Sequence, residues 1–577
     1  MQSIRSLFAA LLLLPTGLLA AQSTDPWSVL SRPRTLAPRP TSAAITPADL
    51  ETRVYRFADD SMEGRILGSR GNMKGTDFIA AELRRMGLEP AGENGTYFQT
   101  LPMVTRSVDP AGRLTVSGTA FSPWTDFVPR DNGPGTRPIN GVPVVWGGDV
   151  SSASARIAPA QAAGKVVVFV ASQPVQGNPR GVPARQEVGP LYREAAGILI
   201  VASDHFTADD LAGYQQPTEL VLFDNPPVAP AYVYINNRMA EALMGAPIAE
   251  LRVGAPGRPI QGELAFTHTP IRYPARNVVA ILRGSDPALR NEFVAVGAHN
   301  DHVGMGRPVA HDSMYVLNHL YREQGADDAP PQVNADVAQR VNAELARIRR
   351  ATGGASARLD SIFNGADDDA SGSMAVLEIA ERWAAAPVKP RRSILFVWHV
   401  GEEAGLYGSQ WFTDHPTVPR DQIVAQLNID MIGRGEEGDV TGQTLSGETI
   451  RGNDDYVQLI GSRRLSTALG DAAEALNTSG SYGLKFDYSL DANGHPQNIY
   501  CRSDHYMYAR YGIPVIFFTT GGHADYHQVT DESQYIDYDH LARVTTFVAD
   551  LTGRVADMDG RPLVDKPRPD PRATCRQ

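Results

Sequence analysis

Cysteine is nearly missing from this chain: among 577 residues there are two, Cys501 and Cys575. Two thiols cannot build a cysteine-rich metal site or a disulfide scaffold, so any metal must be held by histidine and carboxylates. An oxidising compartment would permit a bridge between the pair. Positive charge is short as well. The net charge is −12, which leaves no basic footprint for nucleic acid or an anionic membrane. Beyond the N-terminus no apolar run is long enough to cross a bilayer, so stable membrane insertion is not expected. Neither a G-x-S-x-G elbow nor an H-E-x-x-H zinc motif occurs. The adjacent Ser503, Asp504 and His505 do not form a serine triad, because neighbouring side chains cannot line up in relay.

The N-terminus does carry a signal. Arg5 precedes an apolar stretch from Leu7 to about Leu19 and then Ala20-Ala21, the pattern of a signal peptide cleaved near residue 21. Pro15, Gly17 and the short length argue against a membrane anchor, and no cysteine follows for lipid attachment. The mature protein is expected in the periplasm or outside the cell. Residues 22–47, rich in Pro, Ser, Thr and Ala, read as a linker or arm, and 557–577 as a C-terminal tail.

Two helices are expected over 48–89. From 105 to 270 the texture changes to short β-rich runs such as "KVVVFVAS" and "AGILIVAS". After 270, strands and helices alternate, which predicts an α/β layered domain with a largely parallel sheet. Residues 454–476 read as helical within it. The early helices need that later sheet to pack on, so 48–104 and 271–556 form one discontinuous domain and 105–270 an insert. Residues 311–358 form a second, local insertion, with an amphipathic helix in "PQVNADVAQRVNAELARIRRA", placed as a wall or lid.

Ligand-type residues gather at the strand ends. "FVAVGAHND" closes on His299 and Asp301, and "NGADDDASG" sets Asp367, Asp368 and Asp369 before a helix. "FVWHVGEEAG" closes on Glu402 and Glu403, "IVAQLNIDM" on Asp430, and His527 follows "PVIFFTTGG". Sites in such sheets lie at the carboxyl ends of strands. Each piece has an ordinary alternative, since acids at a helix start also cap it; their coincidence along one edge is what points to metal. Oxygen and imidazole donors suit zinc, with manganese or cobalt as alternatives. Five ligand-bearing segments exceed the need of one tetrahedral ion and favour two that share a carboxylate.

Five motifs in order, "GAHNDH", "NGADDDASG", "GEEAGLYGS", "NIDMIGR" and "YHQVTD", resemble the co-catalytic zinc aminopeptidases and their glutamate carboxypeptidase relatives. The likeness runs from about 270 to 555, and "MEGR" to "GTYFQ" at 62–99 fits the same family's N-terminal portion. Residues 105–270 resemble the protease-associated domain that some members carry. The resemblance implies a three-layer α/β/α zinc-peptidase domain with a mixed, mostly parallel sheet. It implies His299 and Asp430 on one zinc, Glu403 and His527 on the other, and Asp368 bridging, as the carboxylate three residues before Ser371. It also implies a cis bond after Asp368. Asp301 is expected to orient His299, Asp369 to shape the turn, and Asp531 to steer His527. Glu402 takes the role of general base and Tyr526 that of oxyanion donor. Arg502, Ser503 and Asp504 fall near the substrate.

The expected activity is that of an exopeptidase on peptides, foremost an aminopeptidase. A carboxypeptidase or dipeptidase of the glutamate carboxypeptidase type is the alternative. A non-catalytic receptor-like relative would have lost ligands that are all filled here, and a glutaminyl cyclase would bind one zinc. Oligomeric state is left open.

Overall fold

The protein is described by a computed structural model at residue 30 and over 32–130, 135–171, 185–222, 228–351 and 358–577. The expected signal peptide lies outside the described residues, as do 22–29 and 31 of the arm.

The larger sheet is built on seven strands: β1 (Arg276–Leu282), β2 (Phe293–His299), β3 (Ser393–His399), β4 (Ile423–Ile429), β5 (Tyr456–Ile460), β6 (Lys485–Asp487) and β7 (Val515–Thr519). Two short strands, Glu89–Pro90 and Phe98–Thr100, pair with β1. In space the order is β1-β3-β2-β4-β7-β5-β6. The central four, β3, β2, β4 and β7, run parallel, whereas β1 and β5 join them antiparallel. The sheet is therefore mixed, with its parallel part at the centre.

The central strands are buried along their whole length and mostly apolar because both of their faces are covered. In β2, Val294, Val296 and Ala298 enter one core while Phe293 and Ala295 enter the other. Successive side chains alternate across a strand, so one run feeds both layers. The first layer holds helices α1 (Pro47–Phe57), α2 (Arg70–Arg85), α5 (Gly372–Ala385) and α6 (Tyr538–Ala556). Thr46 caps α1 by accepting from the Asp49 amide, with Pro47 in the first turn, and Asp537 caps α6. Arg53 of α1, 2% exposed, pairs with Glu378 and Glu381 of α5 and ties the N-terminal helices to the later chain.

One expectation fails here. Residues 456–460 are strand β5 rather than helix, and a helix begins only at Thr467. The run "YVQLI" is wholly buried and pairs antiparallel with β7, so sheet burial overrides any helical reading of so short a stretch.

Between Met103 and Pro270 the chain builds other sheets. Six strands lie in the order Pro256–Gly257, Val144–Asp149, Val166–Val170, Gly197–Val201, Ala231–Ile235, Phe127–Arg130, around two apolar cores of their own. Further on, an antiparallel ladder of Met305–Ala310 and Leu359–Ile362 brackets α3 (His311–Tyr321) and α4 (Ala335–Ala351). These two helices pack through Tyr315, Val316, Val341, Leu345 and Ile348, and meet Tyr535 of the main body. Cys501 and Cys575 form a disulfide with Cα atoms 5.8 Å apart. Among the described residues no helix is long and apolar enough to cross a membrane.

Candidate metal centre and cleft

β2 ends on His299, 1% exposed. Its Nδ1 lies 3.2 Å from the backbone oxygen of Asp301, with the Asp301 carboxylate farther off at 3.7 Å. The Asp301 contact to this ring is thus led by its main chain, while its carboxylate accepts from the Glu402 amide at 3.2 Å. With Nδ1–H donating, the His299 Nε2 lone pair faces carboxylates: Asp368 Oδ1 at 3.0 Å and Asp430 Oδ1 at 3.5 Å.

A second group sits against the first. His527 Nε2 lies 2.9 Å from both Asp368 Oδ2 and Glu403 Oε2. His302 Nδ1 lies 2.7 Å from Glu403 Oε1 and 3.7 Å from Asp368 Oδ2. His302, Asp368, Glu403 and His527 each offer one ligand atom within 4.8 Å of the others, and so do His299, Asp368 and Asp430. Asp368 belongs to both groups, one oxygen toward each. His302 was absent from the expected ligand set; the turn after β2 folds it back under Glu403, a geometry that spacing along the chain does not reveal.

The turn that presents Asp368 is held from several sides. The Asp368–Asp369 peptide is cis. Asp369 accepts from the amides of His299 at 3.1 Å, Gly372 at 2.9 Å and Met431 at 3.2 Å, tying the ends of β2 and β4 to the start of α5. Asp531 does not steer His527. Its carboxylate accepts from the amides of Asp367 and Asp368 at 3.0–3.1 Å, because those N–H groups at the start of the turn need an acceptor. Arg65 is fully buried and was not singled out from the sequence. Its guanidinium donates to the carbonyls of Asn364 at 2.6 Å, Gly365 at 2.9 Å and Phe57 at 3.1 Å. Gly365 has φ +56, and a Cβ there would meet the Asp368 carbonyl oxygen at 2.1 Å and the His302 ring at 2.6 Å, so the turn admits only glycine.

The electrostatics call for cations. Burial, then the neighbouring Asp430 and Glu403, push the Glu402 carboxyl well above its usual range, against the pull of His299. Burial opposes ionisation of Asp368 too, yet contact with His299 and His527 holds it well below the usual carboxylate range. His527 is pressed down by burial but driven up to about 10 by Asp368 and Glu403. The Nε2 atoms of His299, His302 and His527 are buried without a hydrogen-bond partner. Carboxylates crowded around unpartnered imidazole nitrogens are a donor set that divalent cations satisfy. A third group, His311, Asp360 and Glu532, differs: Arg358 pairs with both carboxylates and already supplies the cation.

Beside the two groups opens a cleft. Glu402, Asp368 and Asp430 line its inner end, and Met431, Leu490, Ile499 and Phe517 give it an apolar wall. Tyr526 and Arg502 line it as well, Arg502 Nη2 donating to Tyr526 Oη at 3.3 Å. Burial holds the Tyr526 hydroxyl protonated, with Asp368 adding to the effect. Two residues expected at the substrate are otherwise engaged. Ser503 lines the cleft but spends its hydroxyl on Asp430 Oδ2 at 2.6 Å. Asp504 is fully buried, 3.4 Å from His399 Nδ1, and does not line the cleft; a buried carboxylate takes the nearest partner.

Comparison with known proteins finds a family model that matches part of the chain. Residues 354–552 match the family model described as Peptidase family M28. Leupeptin-inactivating enzyme 1 of Streptomyces exfoliatus is 39% identical over 87 residues, 15% of this chain and 20% of that protein. Leucine aminopeptidase 1 of Aspergillus fumigatus is 28% identical over 187 residues, 31% of this chain and 43% of that protein. The chain thus spans less than half the length of these relatives. A solved zinc aminopeptidase from Bacillus subtilis superposes with a TM-score of 0.43 at 16% identity, over 89% of this chain and 95% of that one.

Proposed function

We propose, from the match of residues 354–552 to the Peptidase family M28 model, that the protein is an exported zinc exopeptidase that removes N-terminal residues from peptides. One observation carries the reading: two histidine–carboxylate groups share Asp368 at the inner end of a cleft that Glu402 also lines. Two zinc ions would be held, one by His299 and Asp430, the other by His527 and Glu403, with Asp368 between them and His302 against Glu403. The chemistry zinc supplies when bound is polarisation of a water and of the scissile carbonyl, with the pKa of that water brought toward about 7.

The chain's own residues do the rest. A Glu402 carboxylate oxygen takes the proton from the attacking water and returns it to the nitrogen of the leaving amine, a contribution of roughly 10² to 10⁴ in rate. Glu402 is free for this because its neighbour Glu403 has both oxygens engaged by His302 and His527. The protonated Tyr526 hydroxyl donates to the substrate carbonyl oxygen as charge develops there. Met431, Leu490, Ile499 and Phe517 take an apolar side chain and exclude water around it. Leucine is a fitting first residue, in keeping with the names of the fungal relatives. The carboxypeptidase alternative needs a free cation for the terminal carboxylate, and Arg502 is already paired with Asp327. Export rests on the signal-type N-terminus and the disulfide, which suits an oxidising compartment.

The test is a panel of free, N-blocked and C-amidated peptides, run with metal-stripped and zinc-restored protein. Cleavage should need a free amine and zinc. Activity surviving full chelation, or tolerance of a blocked N-terminus, would overturn the reading.

A further inference from the structure

One wall of the cleft does not come from the sheet edge. Gln324 and Asp327 reach it from the segment between α3 and α4. That segment is docked closely. Gly325, at φ +56, would place a Cβ 2.5 Å from the Tyr526 carbonyl oxygen and 2.8 Å from its nitrogen, and Ala326 N donates to that same oxygen at 3.0 Å. Arg322 donates to Gln528 Oε1 at 3.3 Å and to the Asp328 carbonyl at 3.2 Å, and the Gln324 amide donates to Asp328 Oδ2 at 2.9 Å. The segment therefore sits on the stretch 526–528, which carries His527.

This docking sets Asp327 opposite Arg502. Asp327 Oδ2 lies 3.1 Å from Nη1 and Oδ1 lies 3.3 Å from Nη2, two parallel contacts that match the fork of a guanidinium. Nη2 also reaches Tyr526 Oη. An Arg502 without Asp327 would be a cation in the cleft wall, with its planar edge open to a carboxylate.

We infer that Asp327 is a specificity-determining residue: by occupying Arg502 it removes the reward for a substrate carboxylate near the scissile bond. The inference rests on the exopeptidase reading and names the substrate class within it. Preferred substrates carry no carboxylate close to the cleaved bond, so longer peptides and C-terminal amides are taken in preference to free dipeptides. The loop between α3 and α4, not the sheet edge, sets this preference.

The test compares a leucyl dipeptide having a free C-terminal carboxylate with the same dipeptide amidated, as a ratio of kcat/KM values. Asp327→Asn should raise the ratio toward the free acid by about two- to fivefold, the range of an ion pair open to solvent. The gain should shrink in about 1 M salt, where the screening length falls to roughly 3 Å. It should vanish when Arg502→Gln is added to Asp327→Asn. Asp327→Glu, which keeps the charge, should stay near the wild-type ratio. A variant merely disturbed in structure would lose both substrates alike and leave the ratio unmoved, and an unmoved ratio in Asp327→Asn overturns the inference. So does a gain that persists without Arg502. Failure of the exopeptidase reading looks different, since wild-type protein would then cleave neither dipeptide.

Discussion

Ser503 Oγ donates to Asp430 Oδ2 at 2.6 Å, and so turns the other Asp430 oxygen toward His299. The serine is itself held, accepting from Asn428 Nδ2 at 2.9 Å, and Asn428 in turn accepts from Gln426 at 3.1 Å. Buried polar groups on β4 thereby orient one candidate ligand through a chain of hydrogen bonds. Ser503→Ala should weaken zinc affinity by about 10- to 100-fold, with the fold intact by circular dichroism. Competition against a chromogenic chelator reads this. Unchanged affinity would return Ser503 to a role at the substrate.

Glu402 and Glu403 are adjacent yet face different tasks: Glu402 lines the cleft, whereas Glu403 contacts His302 at 2.7 Å and His527 at 2.9 Å. Glu402→Gln should retain bound zinc and lose roughly 10² to 10⁴ in kcat. Glu403→Gln should lose zinc from the group that holds His527. Metal analysis beside single-turnover rates separates the two. An active Glu402→Gln protein would end the division of labour between them.

Much of this was legible because chemistry and burial coincide along the chain. β2, β3 and β4 are buried throughout and mostly apolar, so their runs stand out, and His299 at the end of β2, Glu402 past β3 and Asp430 just after β4 mark the strand ends. What was not legible depends on pairing at a distance. Arg65 supports carbonyls 299 and 300 positions away, and nothing in "MEGR" announces that. Asp531 and Asp504 carry the right chemistry, but the partner each took was decided by which buried group lay unsatisfied beside it. The antiparallel join of β1 and β5 follows from the course of the connections, which hydrophobic period cannot report.

The tail is part of the cleft's support. The disulfide closes a separation of 74 residues, and the nearby Gln577 side chain accepts from Tyr500 N at 3.0 Å and donates to the Ala492 carbonyl at 3.0 Å. Those contacts brace the stretch that brings Leu490, Gln497 and Ile499 to the cleft. A cross-link of this span is worth about 4 kcal/mol on the chain-entropy account. Replacing Cys501 and Cys575 by serine should lower stability by about that much in urea unfolding and raise KM more than it lowers kcat. A KM that stays put would detach the tail from the cleft.

His311 opens α3 and anchors it to the core, with Nε2 3.1 Å from Glu532 and Nδ1 3.0 Å from Asp312. Burial works against its charge, but these two carboxylates overcome it and lift the imidazole to about 10. A histidine whose folded pKa exceeds its unfolded value stabilises fully below the unfolded value, and that stability is lost as pH rises through the folded one. The span is therefore from about 6.5 to about 10. His311→Asn should be less stable than wild type at pH 6, and the gap should narrow steadily as pH climbs to about 10, followed by melting temperature across that range. Proteolysis within 305–362 should follow the same course, rising in the wild type as His311 discharges. A gap constant with pH would mean that His311 holds α3 by packing against Tyr535, 6.4 Å away between ring centroids, and that its charge plays no part.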